Sequence, residues 1–247
     1  MEALKERGYQ LLSLMALVAA WLLLSVVLDT SALPPPHEVA AALWDLVSDG
    51  DAFPPLASTL QSTTLGFVVG FVTGIAYGVA VYVWGRFGEV FNGLFNAVLF
   101  APTLILIFLG LVMFGHKSRL TVVLIAGLVV FPNVAVYVRD ALNDLDDDVK
   151  SMALSYKVVL PQMVRDVYVP YLIPTMLASG RVAFSLAWKV AFLTEVFGYP
   201  EGLGWRVRNA YTVYDMTTLL AWLTVFIIAI LMIEQLTRVV ERGLVKW

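Results

Sequence analysis

Long runs without a single charge constrain this chain more than any other feature. Tyr9–Leu28, Leu56–Trp84, Val90–Gly115, Leu120–Val138 and Met216–Ile233 contain no Asp, Glu, Lys or Arg. Tyr171–Thr194 is apolar except for Arg181 and Lys189. A bilayer core about 30 Å thick accepts about 20 apolar residues in a helix. Backbone polar groups in lipid must bond within the segment, which favours helices. These runs therefore predict an all-α, polytopic membrane protein with about six transmembrane helices. The first run exceeds the roughly 7–15 apolar residues of a signal peptide, so it reads as a retained span.

Composition narrows the function. Apolar residues make up 60% of the chain and charged residues 14%, against about 45–50% and 25% in soluble domains. That excludes a disordered chain, a nucleic-acid-binding domain and a typical soluble enzyme. Without cysteine there is no disulfide framework or thiolate metal site. His37 and His116 are far apart in sequence. No phosphate-binding glycine-lysine loop, G-x-S-x-G or H-E-x-x-H pattern is present. The chain reads as non-catalytic and without a cofactor, and energy for uphill work comes from an ion or from a partner.

Lys and Arg set the direction of insertion. Six spans put both termini on one side. With the termini inside, the inner segments hold Lys5, Arg7, Arg86, Arg139, Lys150, Lys157, Arg165, Arg238, Arg242 and Lys246. The outer segments hold only Lys117, Arg119, Arg206 and Arg208. Both termini are therefore expected in the cytoplasm. The first outer loop, Asp29–Thr59, carries acids and no Lys or Arg, in agreement.

The connecting pieces carry their own signals. Pro34-Pro35-Pro36 ends the first span, and Val39, Leu43, Leu46 and Val47 then fall at helical spacing opposite Glu38, Asp45 and Asp49. That predicts a short amphipathic helix on the outer surface. Gly66, Gly70, Gly74 and Gly78 form a ridge without side chains at i+4 spacing. Such a ridge admits another backbone closely, within the subunit or between subunits. The longest inner segment, about 139–169, predicts a helix led by Asp144, Asp146, Asp147 and Asp148 and running through Val149–Val159. Pro161 is expected to break it, and Pro170 and Pro174 to open the fifth span. Pro102 and Pro132 interrupt spans three and four, and Asn133 marks a helix distortion.

Ionisable residues inside a span are functional candidates by default. Arg181, Ser185 and Lys189 lie at i, i+4 and i+8, on one face of span five. That face should line a cavity or a helix interface. Arg181 suits helix pairing, and Lys189 suits a path. Glu195 closes the span near the outer side as a candidate partner for a cation.

Several stretches, taken together in order, carry a resemblance. Leu33-Pro34-Pro35-Pro36-His37-Glu38-Val39 looks like an "LPxPxEV" pattern, and Thr64-Leu65-Gly66-Phe67 begins a matching glycine-bearing span. Gly180-Arg181, Ala183, Ala187-Trp188 and Glu195 fit "GxRxAxxxAWxxxxxxE", and Gly202-Leu203-Gly204 fits "GLG". On these the chain resembles the membrane permeases of bacterial ABC importers, of the nitrate/sulfonate/taurine type, over nearly its whole length. The resemblance implies a type I importer fold as a single permease domain, 1–247, in the bacterial inner membrane. Arg181, Ser185, Trp188, Lys189 and Glu195 are the candidate residues for a translocation path or helix pairing. The resemblance also implies cytoplasmic ABC ATPase subunits, which bind ATP and Mg, a second permease copy or sister permease, and an extracytoplasmic solute-binding protein. The solute would be a small anion.

That family docks on its ATPase through a loop of pattern E-A-A, three residues, G. Counted back from Pro170, the pattern falls on Ser151, Met152 and Ala153, with the glycine at Lys157. Only Ala153 matches. The implied coupling residues are Ser151, Met152, Ala153, Tyr156 and Lys157, the apolar ones forming one docking patch. The departure also fits a complex whose sister subunit carries the standard loop. An ion-coupled secondary transporter and a non-transport membrane scaffold are the rival classes.

Overall fold

The computed structural model describes residues 2–28 and 32–244. Every regular element among them is helical: α1 (Glu2–Leu28), α2 (Pro36–Ser48), α3 (Phe53–Val83), α4 (Gly85–Phe100), α5 (Thr103–Phe114), α6 (Arg119–Asn143), α7 (Asp147–Ser155), α8 (Leu160–Met163), α9 (Val169–Phe197), α10 (Gly202–Thr212) and α11 (Met216–Leu244). Of the cations counted above, Lys246 and the side chains of Lys5, Arg7, Lys150 and Arg242 lie outside the described residues, as does the start of the first loop, 29–31.

Four helices are long and apolar enough to cross a membrane: Phe53–Val83, Arg119–Asn143, Pro161–Phe197 and Met216–Arg238. The expected third span is two helices, α4 and α5, bent by 103°. Pro102 is the cause. It stands extended at φ −55° and ψ 125° before Thr103, and as a proline it cannot continue the hydrogen-bond ladder of α4. The pair still runs from one end of the bundle to the other. Phe95 of α4 stacks on Tyr77 at 5.0 Å, in the second half of α3. In α5, Phe108 packs on Phe197 at 5.2 Å, beside the start of α6. The pair is thus one broken span. With that pair counted once, the described residues give five long passages, and α1 precedes them.

The core is α6 wedged between α3 and α9. On α3, Gly66, Gly70, Gly74 and Gly78 are all buried. A Cβ built on Gly70 would stand 2.6 Å from the Gly127 carbonyl oxygen and 2.7 Å from Val130 Cβ. At Gly74 the same atom would meet the Phe131 carbonyl oxygen at 2.7 Å, and at Gly78 the Ala135 carbonyl oxygen at 2.8 Å. The ridge is the seat of α6 within the subunit. Val130, Val134 and Val138, one helical turn apart, fill it from the other side and continue into Ala183 and Ala187 of α9. Pro132 sits inside α6, and the Asn133 side-chain amide donates to the Val129 carbonyl at 2.9 Å, supplying a donor beside the proline.

Two local expectations change. Helix α2 starts at Pro36, a favoured first-turn position. Its apolar face, with Leu43 and Leu46, packs on the cluster around Trp222 of α11, so much of it is used inside the protein rather than on a membrane surface. Helix α7 ends at Ser155, short of Val159. Lys157 stands at φ 54°, in the left-handed region, and the Val158 N–H donates to the Ala153 carbonyl at 3.1 Å, closing the turn. Pro161 lies in the first turn of α8, where its missing N–H is harmless, so it opens a helix rather than breaking one. A π-helical turn, Val164–Tyr168, then joins α8 to α9.

Candidate translocation cavity and outer lock

Sequence spacing placed Arg181, Ser185 and Lys189 on one face of α9, and this face lines a cavity of about 670 Å³. Asn133 of α6 and Glu234 and Arg238 of α11 complete its polar lining. Ser185 Oγ donates to Glu234 Oε1 at 3.4 Å. Arg238 lies 3.9 Å from Glu234, one turn along the same helix. Lys189 is exposed into this space and forms no ion pair among the described residues. The described lining residues of the cavity thus include three cationic side chains and one carboxylate.

Trp188 does not share that face. It is fully buried and stacks on Phe226 of α11 at 5.3 Å. One residue on a helix is a turn of about 100°, so the neighbour of Lys189 points into the core. Its ring packs α9 against α11. The α9–α11 seam is closed there by Phe192, Leu203, Trp222 and Val225, and the cavity opens beyond it.

Glu195 forms a separate site at the other end of α9. It is fully buried and is held by neutral donors. Thr59 Oγ1 donates to Glu195 Oε2 at 2.8 Å, and the Gly204 N–H donates to the same oxygen at 3.0 Å. The Leu203 N–H donates to Thr59 Oγ1 at 2.9 Å. The first turn of α10 thus lends two otherwise unpaired N–H groups to this knot. The glycines make room. A Cβ on Gly204 would meet the Phe192 carbonyl oxygen and stand 2.8 Å from Glu195 Cβ. Gly202 takes φ +86°, and a Cβ there would run into the Glu195 carboxyl. So Glu195 and the Gly-Leu-Gly stretch are two halves of one joint between α3, α9 and α10.

Above the knot, Glu201 gathers three donors. Tyr199 Oη donates to Glu201 Oε2 at 2.8 Å, Arg119 Nη2 at 3.3 Å and Ser58 Oγ at 3.4 Å. Arg119 also donates to Gln61. The Tyr199 hydroxyl bond, with Arg119, holds the Glu201 carboxyl below the usual carboxylate value. Arg119 makes its ion pair with Glu201, at 3.3 Å. Thr59, Glu201 and Glu234 were not singled out. Among the described residues no cluster of His, Asp or Glu suits a metal ion.

On the 139–169 segment the implied coupling residues divide. Ser151, Met152, Tyr156 and Lys157 are exposed, whereas Ala153 is buried at 6% exposure. Ala153 is turned inward, and the exposed apolar residues are Met152 and Tyr156. Lys157 occupies the place of the motif's glycine, and its φ of 54° is the conformation that glycine adopts most easily.

Comparison with known proteins agrees in kind. The model of the family "Binding-protein-dependent transport system inner membrane component" matches residues 52–246. The putative aliphatic sulfonates transport permease protein SsuC of Escherichia coli (strain K12) is 27% identical over 234 residues, covering 94% of this chain and 88% of its own length. SsuC of Bacillus subtilis (strain 168) is 22% identical over 221 residues, covering 90% and 80%. Among solved structures, the inward-facing MetNI methionine ABC transporter superposes with a TM-score of 0.69 at 19% identity, over 82% of this chain and 97% of that one. An amino acid ABC transporter crystallised with histidines gives 0.63 at 18% identity, over 81% and 98%. These two likenesses are of fold.

Proposed function

The chain belongs to the family of binding-protein-dependent transport system inner membrane components, and on that premise we propose that the α9 cavity is its share of a translocation path for a small anionic solute. As a member it is a non-catalytic permease subunit of an ATP-driven importer, and ATP is hydrolysed by partner subunits. The observation that carries the solute class is the cavity itself. Arg181 and Lys189, within a membrane span, and Arg238, at the end of the apolar stretch of α11, line it with one acid, Glu234, among the described lining residues. Buried charge is costly there unless it is used. A sulfonate, like other oxyanions, accepts hydrogen bonds from such donors. The relatives named above are named for aliphatic sulfonates, and we extend that class to this chain.

The remaining assignments follow the same reading. Both termini and the 139–169 segment face the cytoplasm, because the Lys and Arg lie there. Met152 and Tyr156, exposed on the rim of α7, meet the ATPase. A second copy or a sister permease closes the open side of the cavity, and a solute-binding protein delivers from the outer end, above Glu201.

The test is ethanesulfonate uptake by proteoliposomes carrying the complete transporter. Lys189→Met is expected to assemble with the ATPase yet transport slowly at every concentration; wild-type uptake by this variant removes the cavity from the path. Single cysteines check direction. One at Ser151 should resist a membrane-impermeant thiol reagent in intact cells and one at Ser48 should react, and the opposite pattern overturns the topology.

A further inference from the structure

Around the cavity, α9 and α11 do not part completely. Beyond the Trp188–Phe226 stack, a polar bond crosses the gap, from Ser185 Oγ to Glu234 Oε1 at 3.4 Å. Resting on the path reading above, we propose that Glu234 is a built-in counter-anion. Its carboxylate stands where the solute would bind, and the solute must displace it.

The placement argues for this. Arg181 and Lys189 lie one turn to either side of Ser185, about 6 Å along the helix axis. The Glu234 carboxylate therefore stands opposite the middle of a cationic stretch, where an incoming oxyanion would find its donors. Carboxylate and sulfonate oxygens accept from the same groups, a hydroxyl, an ammonium and a guanidinium. Two anions a few ångströms apart in a partly dry cavity repel strongly. Solute and Glu234 thus compete for Ser185. When solute wins, the crossing bond between α9 and α11 breaks, and Arg238, on the same helix as Glu234, keeps the displaced carboxylate company. Occupancy is in this way converted into freedom between two helices. Glu234 is a positioning residue that also sets selectivity, because only an anion with enough donors satisfied can replace it.

The test measures binding of radiolabelled ethanesulfonate to the solubilised complete transporter without its binding protein. Glu234→Gln is expected to bind about tenfold tighter, the scale of removing a like charge at several ångströms in a partly solvated site. Glu234→Asp should stay near wild type, and Lys189→Met should bind about tenfold weaker, the converse effect of losing an attracting charge. Unchanged or weaker binding by Glu234→Gln, with Lys189→Met impaired, overturns the counter-anion alone. If Lys189→Met also binds normally, the path reading itself fails. A second measurement separates charge from structure, since the chain has no cysteine. Glu234→Cys, labelled after assembly with a neutral methyl methanethiosulfonate, should keep tight binding. The negatively charged sulfonatoethyl reagent should weaken it. Equal binding after both labels overturns the proposal.

Discussion

Alanine at Gly70 puts one methyl group where α3 and α6 meet. That carbon would stand 2.6 Å from the Gly127 carbonyl oxygen, where ordinary contact begins at 3.4 Å. Val130 Cβ, at 2.7 Å, blocks the other side. Both obstacles belong to, or are bonded directly to, the α6 backbone. No rotamer change relieves them, so α6 must withdraw by several tenths of an ångström over the whole ridge. Overpacking of this kind costs about 1–3 kcal/mol. Against it stands a gain of about 1 kcal/mol from replacing a helical glycine by alanine. The immovable backbone places the cost at the upper end, so the expected net loss is about 1–2 kcal/mol. Gly93 on α4 is the control, because nothing lies within 4 Å of its added Cβ. Gly93→Ala should hold or raise the apparent melting temperature in detergent, and Gly70→Ala should lower it. Gly110 separates the causes further. The atoms nearest its Cβ all belong to the side chain of Ile125. Ile125→Ala should therefore offset much of the Gly110→Ala loss, whereas Val130→Ala, which keeps its Cβ, should not rescue Gly70→Ala. A Gly70→Ala protein that melts with or above wild type refutes the reasoning, and the ridge is then not a rigid seat.

Lys157→Gly should stabilise the subunit by about 1 kcal/mol, since a side chain at a left-handed φ costs about 1–2 kcal/mol; Lys157→Ala, tested by the same melt, should show no such gain. Ala153→Asp should destabilise the subunit itself, because it buries an unpaired carboxylate. Met152→Asp and Tyr156→Asp should instead leave the melt unchanged and abolish co-purification with the ATPase. Acid should loosen the outer end. Glu201 has its folded value lowered, first by the Tyr199 hydroxyl bond, so its contribution is present above the ordinary carboxylate value and is lost as pH falls through the folded one. Glu201→Gln should flatten that acid limb of the melting curve, and an unchanged pH profile would remove Glu201 from it.

The spans were legible because an uncharged run is long and additive over many residues. What the runs could not give was the partner of each face. The α2 pattern of Val39, Leu43 and Leu46 announces an apolar side, but whether that side meets lipid or Trp222 depends on where α11 ends. Glu234 escaped notice because it lies one residue past the run Met216–Ile233 and so read as the solvated end of a helix. Thr59 is an unremarkable residue in an apolar helix until Glu195, far along the chain, is folded against it. On α7, Met152 and Ala153 sit on adjoining faces, and tertiary packing alone decides which turns inward. The line Arg181, Ser185, Lys189 was readable because its spacing needs no partner.

The break at Pro102 bears on how the chain is inserted. Helix α4 has 16 residues and α5 has 12, lengths of about 24 Å and 18 Å at 1.5 Å per residue. Neither reaches across a bilayer core of about 30 Å by itself. Helix α5 is fixed by Ile125 of α6 and by Leu111 against Gly198, at the end of α9. Both supports leave the ribosome after α5 does. The glycine face of α3 waits for the same helix. Biogenesis therefore depends on order. The first half of the chain enters the membrane with its bent span unsupported and its ridge empty, and the arrival of α6 settles both at once.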